Sequence, residues 1–332
     1  MVIAEKIRNI LEQPYIISDY EHHCSSSIGI SLFPEPNISA SELLQQADKA
    51  MYRAKEQGRN TICFFHPSMQ QVADDKLFLE KELRRALKHQ HFKLYYQPQT
   101  DAKGKIISAE ALIRWHHPER GVISPAQFIP IAEDSGLIIA LGGWVLNQAC
   151  WQMRQWLDQG MEMDHVSINV SSRQFRQADF VNTVDQALKH NKLDASRLCI
   201  ELTEGIVINN IDDTVAKMRA LKRMGIKISI DDFGTGYSSL AYLKQLPLNQ
   251  LKIDQSFVRD LTIDLNDAII VSTIINMAHN LQLEVIAEGV ETEQQKDYLL
   301  QKGCQVFQGY YFSKPLPVDD FRLYWERMTE VS

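Results

Sequence analysis

Short apolar runs that each stop at a polar or charged residue constrain this chain more than any other feature. Ile106-Ile107 leads through Ser108-Ala109 to Glu110, and Val166-Ser167-Ile168 stops at Asn169. Leu198-Cys199-Ile200 stops at Glu201, and Ile228-Ser229-Ile230 at Asp231-Asp232. Leu251-Lys252-Ile253 ends in Asp254, Val285-Ile286-Ala287 in Glu288, and Val306-Phe307 in Gln308. Segments with helical periodicity separate most of these runs. That alternation predicts a TIM-like β/α barrel, in which the C-terminal ends of the strands converge on one site. Most of the terminating residues are carboxylates. Like charges crowded at one mouth repel unless cations sit between them, so the pattern points to a metal enzyme rather than a passive scaffold.

With 332 residues the chain exceeds the roughly 250 that such a barrel needs, leaving room for a smaller unit. A net charge of −7 offers no overall basic field for a nucleic acid polymer. A small anionic substrate remains compatible if bound cations reverse the local sign. Cys24, Cys63, Cys150, Cys199 and Cys304 are scattered without CxxC spacing, the pattern of reduced thiols in a cytoplasmic protein. No signal peptide is visible. The longest apolar run, Gly136 to Leu146, is too short to span a bilayer. The expectation is a cytoplasmic protein, or the cytosolic part of a longer membrane-bound signalling protein.

Residues 1–65 form a first unit. Ile3 to Leu11 is predicted helical, and Tyr15 to Phe33 a hairpin or pair of strands. Ser39 and Glu42 form a capping box for a helix over Ser41 to Gln57, and Thr61 to Phe65 is a short strand. Two helices and about three strands are thin cover for a core, so this α+β unit is expected to be incomplete. Residues 66–75 (HPSMQQVADD) form a polar connector, and the barrel occupies 76–332, entered by a helix from Leu77 to about His89. Its first strand, from Phe92, is linked to a strand over Lys105 to Trp115 by only Asp101-Ala102-Lys103-Gly104. So short a link predicts an antiparallel first strand. Ser124, Pro125 and Gln127 spell another helix entry with a closed capping box, as do Thr292 and Gln295, and the last helix is expected over Asp319 to Met328.

The oxygen-rich set Glu110, Asn169, Glu201, Glu204, Asp231 and Asp232 suits hard divalent cations, Mg2+ or Mn2+, rather than zinc. Adjacent aspartates at one strand end allow one carboxylate to bridge two ions, the usual device for in-line phosphoryl displacement. Five such positions together are not helix caps or surface charges, but other candidates have plainer roles when read singly: Asp254 or Glu291 as a helix cap or surface charge, Lys252 as an ion-pair partner, Arg114 as a stacking or core-pairing group. Gly234 and Gly236 are expected as loop hinges. His116-His117 and His22-His23 are expected to be structural or exposed.

Residues 76–328 resemble the EAL-domain phosphodiesterases that hydrolyse cyclic di-GMP. The motifs that carry the likeness are YYQP (95–98), EALIRW (110–115), INVSSRQF (168–175), ELTE (201–204) and DDFGTGYSS (231–239), with LKID (251–254), AEGVE (287–291) and QGYYFSKP (308–315). The resemblance implies that Glu110, Asn169, Glu201 and Asp231 hold one ion. Asp231 would bridge to a second, Asp232 being its other protein ligand. It implies Lys252 at the attacking water, and Glu288 as general base or as the residue that orients that water. Gln97, Leu112, Arg114, Asp254 and Gln308 would meet the substrate. Glu204 would anchor the loop 233–239, which couples the site to a dimer interface, so a homodimer is implied as well. The implied reaction opens one phosphodiester of the ring to give linear pGpG. In residues 1–65, SIGISLFP (27–34) and ADKAMYRAKEQGRN (47–60) resemble the last third of a GGDEF diguanylate cyclase domain. The half carrying that family's signature hairpin and metal aspartate is not in this sequence, so cyclase activity is not expected. Two other readings compete with hydrolysis. One is a cyclic di-GMP receptor without turnover; the other is an unrelated metal-dependent barrel enzyme, since fold alone does not fix function.

Overall fold

A computed structural model describes residues 1–18, 20–32, 38–206, 211–234 and 243–331. The chain divides into two compact units, Met1–Glu82 and Leu83–Ser332, with the helix Pro67–Lys88 running across the division. The segment 66–75, expected as a polar connector, is thus helical from Pro67 onward and continuous with the helix expected from Leu77. Its polar residues still repeat with helical spacing, and no glycine or internal proline interrupts them.

In the first unit the helix Val2–Leu11 precedes an antiparallel pair, β1 (Tyr15–Ile17) and β2 (Tyr20–His22). Strand β3 (Ile28–Ile30) pairs in parallel with β4 (Ile62–Phe64), and the helix Ala40–Glu56 connects them. Ser39 and Glu42 close the expected capping box. Among the described residues a small buried cluster here comprises Ala50, Ala54 and Cys63, with Phe65 and Met69 against it. So small a core matches the thin cover expected from sequence.

The second unit is the barrel. Its strands are β5 (Phe92–Thr100), β6 (Ile106–His117), β8 (Val166–Asn169), β9 (Leu198–Thr203), β10 (Lys227–Phe233), β11 (Gln250–Ile253), β12 (Glu284–Ala287) and β13 (Val306–Phe307). They pair in the order β5-β13-β12-β11-β10-β9-β8-β6, and β5–β6 pairing closes the ring. β5 runs antiparallel to both of its neighbours, as the short 101–104 turn requires, while the remaining pairs are parallel. A short extra strand, β7 (Gly121–Ile123), pairs with β6 outside the ring. The Asp101 carboxylate accepts the Lys103 and Lys105 backbone N–H groups and folds the turn over itself. The strands are apolar because both faces are covered. Ile200, Leu202, Ile228, Leu251 and Ile253 all belong to one continuous core with Trp156 and Phe321. Ser124 stands at the N-cap with Pro125 first in its helix, but its side chain makes no capping bond, so the box expected with Gln127 does not close. Thr292 and Gln295 do close theirs.

Candidate active site

The barrel brings the singled-out residues to one mouth, but not all stand at strand ends as expected: Asn169 closes β8 and Glu288 follows β12, whereas Glu110 and Glu201 lie within β6 and β9. Glu110 lies opposite Gln97 in the β5–β6 register, and Asn169, the last residue of β8, lies opposite Glu201 within β9. Strand β10 departs from regularity where the two aspartates sit: its register with β11 slips between Ile230 and Phe233. Asp232 has φ 54°, the left-handed region uncommon for a residue with a Cβ. Successive side chains of a regular strand face opposite sides. The slip breaks that alternation, and oxygens of Asp231, Asp232 and Glu288 come within 4.8 Å of one another. Glu288 ends β12 just before Gly289, whose φ is +66° and whose added Cβ would lie 2.5 Å from Gln255 Cβ. Only glycine lets the chain turn there with the carboxylate facing inward.

Lys252, fully buried on β11, occupies the centre. Its ammonium lies 2.6 Å from Glu201, 2.6 Å from Glu288, 3.2 Å from Asp231 and 3.3 Å from Glu110. Asn169 Nδ2 donates to the other oxygen of Glu110 at 2.6 Å. Burial opposes the lysine's charge, but Asp231, Glu110, Glu201 and Glu288 outweigh it and raise its pKa well above the usual value. For Glu110, burial is outweighed by Lys252 and by bonds from Gln308 and Asn169, and the pKa is lowered. Burial, only partly offset by Lys252, pushes Glu201 up to about 8, with Glu110 and Asp231 repelling it. Burial, then Asp231 and Asp254, push Asp232 up to about 6. Burial likewise drives Glu288 well above the carboxylate range.

These residues fit a cation. One ammonium faces four carboxylates, and its three N–H bonds cannot serve all of them. Glu201 is 1 % exposed, and its Oε1 is buried with no hydrogen-bond partner among the described residues. A buried carboxylate oxygen left so is costly unless a proton or metal ion meets it. The donor set is all oxygen, as hard divalent ions require.

Gln97 and Gln308 are buried, and their amides are engaged by protein. Gln308 Nε2 donates to Glu110 Oε2 at 2.5 Å and to Gln97 Oε1 at 3.2 Å, while Gln97 Nε2 donates to the Ser313 carbonyl at 3.1 Å. Gly309 holds Gln308 in place, because a Cβ there would fall 2.1 Å from the Val290 carbonyl oxygen. Asp254 caps the following helix by accepting the Ser256 N–H at 2.9 Å, the plainer of its two expected roles. Arg114 lies over the Tyr95 ring at 5.6 Å rather than on Trp115. With Leu112 and Asn169 it lines a cavity of about 290 Å3. Glu204 accepts the Gly234 N–H at 3.2 Å, and Gly234 has φ +103°. The rest of the expected loop, residues 235–239 with the hinge Gly236, lies outside the described residues. Sequence reasoning missed Gln99 and Ser108, which bond into the same buried amide group. Their only signal was polarity inside strands that are otherwise buried.

Residues 80–315 match the family model of the EAL domain, and residues 1–61 match that of the diguanylate cyclase GGDEF domain. The chain belongs to the EAL domain family. It is 46% identical over 318 residues to the bifunctional diguanylate cyclase/cyclic di-GMP phosphodiesterase MucR of Pseudomonas aeruginosa, covering 96% of this chain and 46% of that protein. It is 37% identical over 325 residues to the cyclic di-GMP phosphodiesterase PdeR of Escherichia coli, covering 98% of this chain and 49% of the relative. The chain therefore spans about half the length of these curated relatives. Among solved structures, the PaMucR phosphodiesterase in complex with c-di-GMP superposes with a TM-score of 0.71 at 44% identity, over 73% of this chain and 99% of that one. The EAL enzyme Bd1971 in its cAMP and cyclic-di-GMP bound form gives 0.74 at 34% identity, over 87% and 77%.

Proposed function

We propose that this chain hydrolyses cyclic di-GMP to linear pGpG with the aid of two divalent cations, Mg2+ or Mn2+. The observation that carries the proposal is the imbalance of charge at the barrel mouth: one lysine against four carboxylates, with a Glu201 oxygen unpartnered. The names of the relatives supply the substrate. When bound, divalent cations acidify water and neutralise the charge that develops on the reacting phosphoryl group. In this reading Glu110, Asn169, Glu201 and Asp231 would hold one ion, and Asp231 and Asp232 would hold the other. The proximity of Glu288 to both aspartates adds it to the groups that could meet that second ion.

Lys252 can turn an N–H bond toward an attacking water only by releasing one of its carboxylates, and Glu110 and Asp231 are the two it holds most loosely. Glu288 takes the water's proton, the water oxygen bonds to phosphorus, and the ring's P–O3′ bond breaks. The departing 3′ oxygen then takes a proton from solvent. Leu112 and Arg114 line the cavity in which the nucleotide lies. Gln97 and Gln308 act on the substrate through Glu110 rather than by reaching it, and Asp254 acts through the helix it caps.

For the chain as a whole we assign residues 1–65 to a partial GGDEF-like unit, 66–75 to a helical linker and 76–332 to the phosphodiesterase. A cytoplasmic homodimer is the assembly proposed. Ile263, Leu265, Ile269 and Ile270, all exposed on and before one helix, support it. Among the described residues no helix is long and apolar enough to cross a membrane. The test is chromatography of products after mixing the protein, cyclic di-GMP and Mg2+ or Mn2+. Conversion to pGpG that Glu110→Ala abolishes is the expected result. Tight binding without turnover would instead favour a receptor, and neither binding nor turnover would exclude this substrate.

A further inference from the structure

We propose that Gln99 is a positioning residue for Glu110, acting through the Gln308 amide. The inference rests on the reading of Glu110 as a cation ligand. The barrel wall contains an unbroken row of buried donors and acceptors. Ser108 Oγ donates to Gln99 Oε1 at 2.6 Å, Gln99 Nε2 donates to Gln308 Oε1 at 2.9 Å, and Gln308 Nε2 donates to Glu110 Oε2 at 2.5 Å. A side branch runs from Gln308 Nε2 to Gln97 Oε1 at 3.2 Å, and from Gln97 Nε2 to the Ser313 carbonyl at 3.1 Å.

Amide oxygen and nitrogen have nearly the same shape, so an isolated glutamine can present either end. Here the row leaves one arrangement. A carboxylate accepts and never donates, so Gln308 must show Glu110 its NH2. Its carbonyl oxygen then faces Gln99, which must answer with its own NH2. The carbonyl of Gln99 is left for the Ser108 hydroxyl. From the other end the Ser313 carbonyl, also acceptor only, fixes Gln97 and thereby the second N–H of Gln308. Both ends agree. Ser108 and Gln99 are fully buried, or nearly so, so water cannot substitute for either. Without Gln99 the Gln308 amide loses the donor that holds its oxygen away from Glu110, and the carboxylate loses the partner that aims it into the mouth. Ligand-orienting groups of this kind typically change metal affinity by about 10–100-fold when removed.

The test uses Mn2+ alone, titrated calorimetrically into the full chain, so it does not depend on any turnover of cyclic di-GMP. Gln99→Glu keeps the shape but puts an acceptor opposite the Gln308 oxygen. It is expected to weaken Mn2+ binding by about tenfold or more. Because the route runs through Gln308, the double variant Gln99→Glu/Gln308→Met is expected to bind Mn2+ no more weakly than Gln308→Met alone. An unchanged affinity in Gln99→Glu, or additive losses in the double variant, would overturn the proposal. Should Gln99→Glu fail to fold, Ser108→Ala removes only the far end of the row. It is expected to weaken binding severalfold in the same direction, and an unchanged affinity there overturns the proposal equally. Failure of the unsubstituted chain to hydrolyse cyclic di-GMP while it binds Mn2+ would instead bear on the proposed reaction and leave the positioning role untouched.

Discussion

Replacing Lys252 by methionine isolates the charge at the centre of the mouth. Methionine keeps most of the lysine stem, so little cavity opens and the change removes chiefly the ammonium. That ammonium now faces Glu201 and Glu288 at 2.6 Å, Asp231 at 3.2 Å and Glu110 at 3.3 Å. Removing one member of a buried ionic cluster leaves uncompensated charge and costs about 3–5 kcal/mol. Glu201 and Glu288 already have raised pKa values and can take up protons, which caps the loss at the lower end of that range. In a domain of this size 1 kcal/mol is roughly 2–4 °C in Tm, so a fall of about 10 °C is expected in the presence of a chelator. Divalent cation supplies the missing positive charge, so added Mn2+ should raise the Tm of Lys252→Met by more than it raises that of the unsubstituted chain. Turnover of cyclic di-GMP should fall by about 100-fold or more with KM little changed, since a group at the attacking water acts on the transition state. Differential scanning fluorimetry and steady-state kinetics read the two arms. A variant as stable as its parent in chelator would refute the view of Lys252 as the cluster's counter-ion. Equal losses in kcat and affinity would refute its place at the water.

Other positions give independent checks. Gly309→Ala places a methyl where the Val290 carbonyl stands, and should lower Tm and cation affinity together; unchanged values would show that the turn after Gln308 has slack. Thr292→Ala removes one half of a closed capping box and should cost about 1 kcal/mol in chemical denaturation without affecting Mn2+ binding; no loss would show that the box contributes nothing. His165 is 1 % exposed, and burial followed by Lys227 lowers its pKa to about 3. A depressed pKa means that the unfolded chain binds the extra proton first. The neutral ring's contribution is therefore full above about pH 6.5 and lost as pH falls toward 3, at about 1.4 kcal/mol per unit. His165→Gln should thus lose about 2 kcal/mol less than its parent between pH 6.5 and pH 5; parallel denaturation curves would count against the account.

Much of the barrel was legible because two rules act on every strand: buried strands are apolar, and each must end where the chain re-enters water. Asn169 ends β8 and Glu288 follows β12, while Glu110, Glu201 and Asp231 lie inside β6, β9 and β10, which continue past the apolar runs; helices between the strands still bring these positions together. The antiparallel β5 followed from a turn too short for a crossover. Where the sequence misled, the physical reason lies in context. The row 66–75 is polar enough for a loop, yet nothing in it breaks a helix, and Pro67 is tolerated as a first helical residue. Ser124 has the right neighbours for a closed box but its side chain turns elsewhere.

The site itself was legible as a set of residue types and not as a set of contacts. Glutamines 97 and 308 have the chemistry to grip a substrate, and only the register of β5 against β6 and β13 shows their amides already engaged with Glu110 and the Ser313 carbonyl. The slip that turns both Asp231 and Asp232 to one side is a backbone event at φ 54°, and no pattern of apolar residues encodes it. Strand order and register therefore decide which groups meet. The irregular turn at Asp232 and the buried amides behind Glu110 decide how they face. A mouth so built holds more negative charge than Lys252 can balance, which is why cation affinity, rather than strand composition, is the quantity on which changes at Gln99, Gly309 and Lys252 should converge.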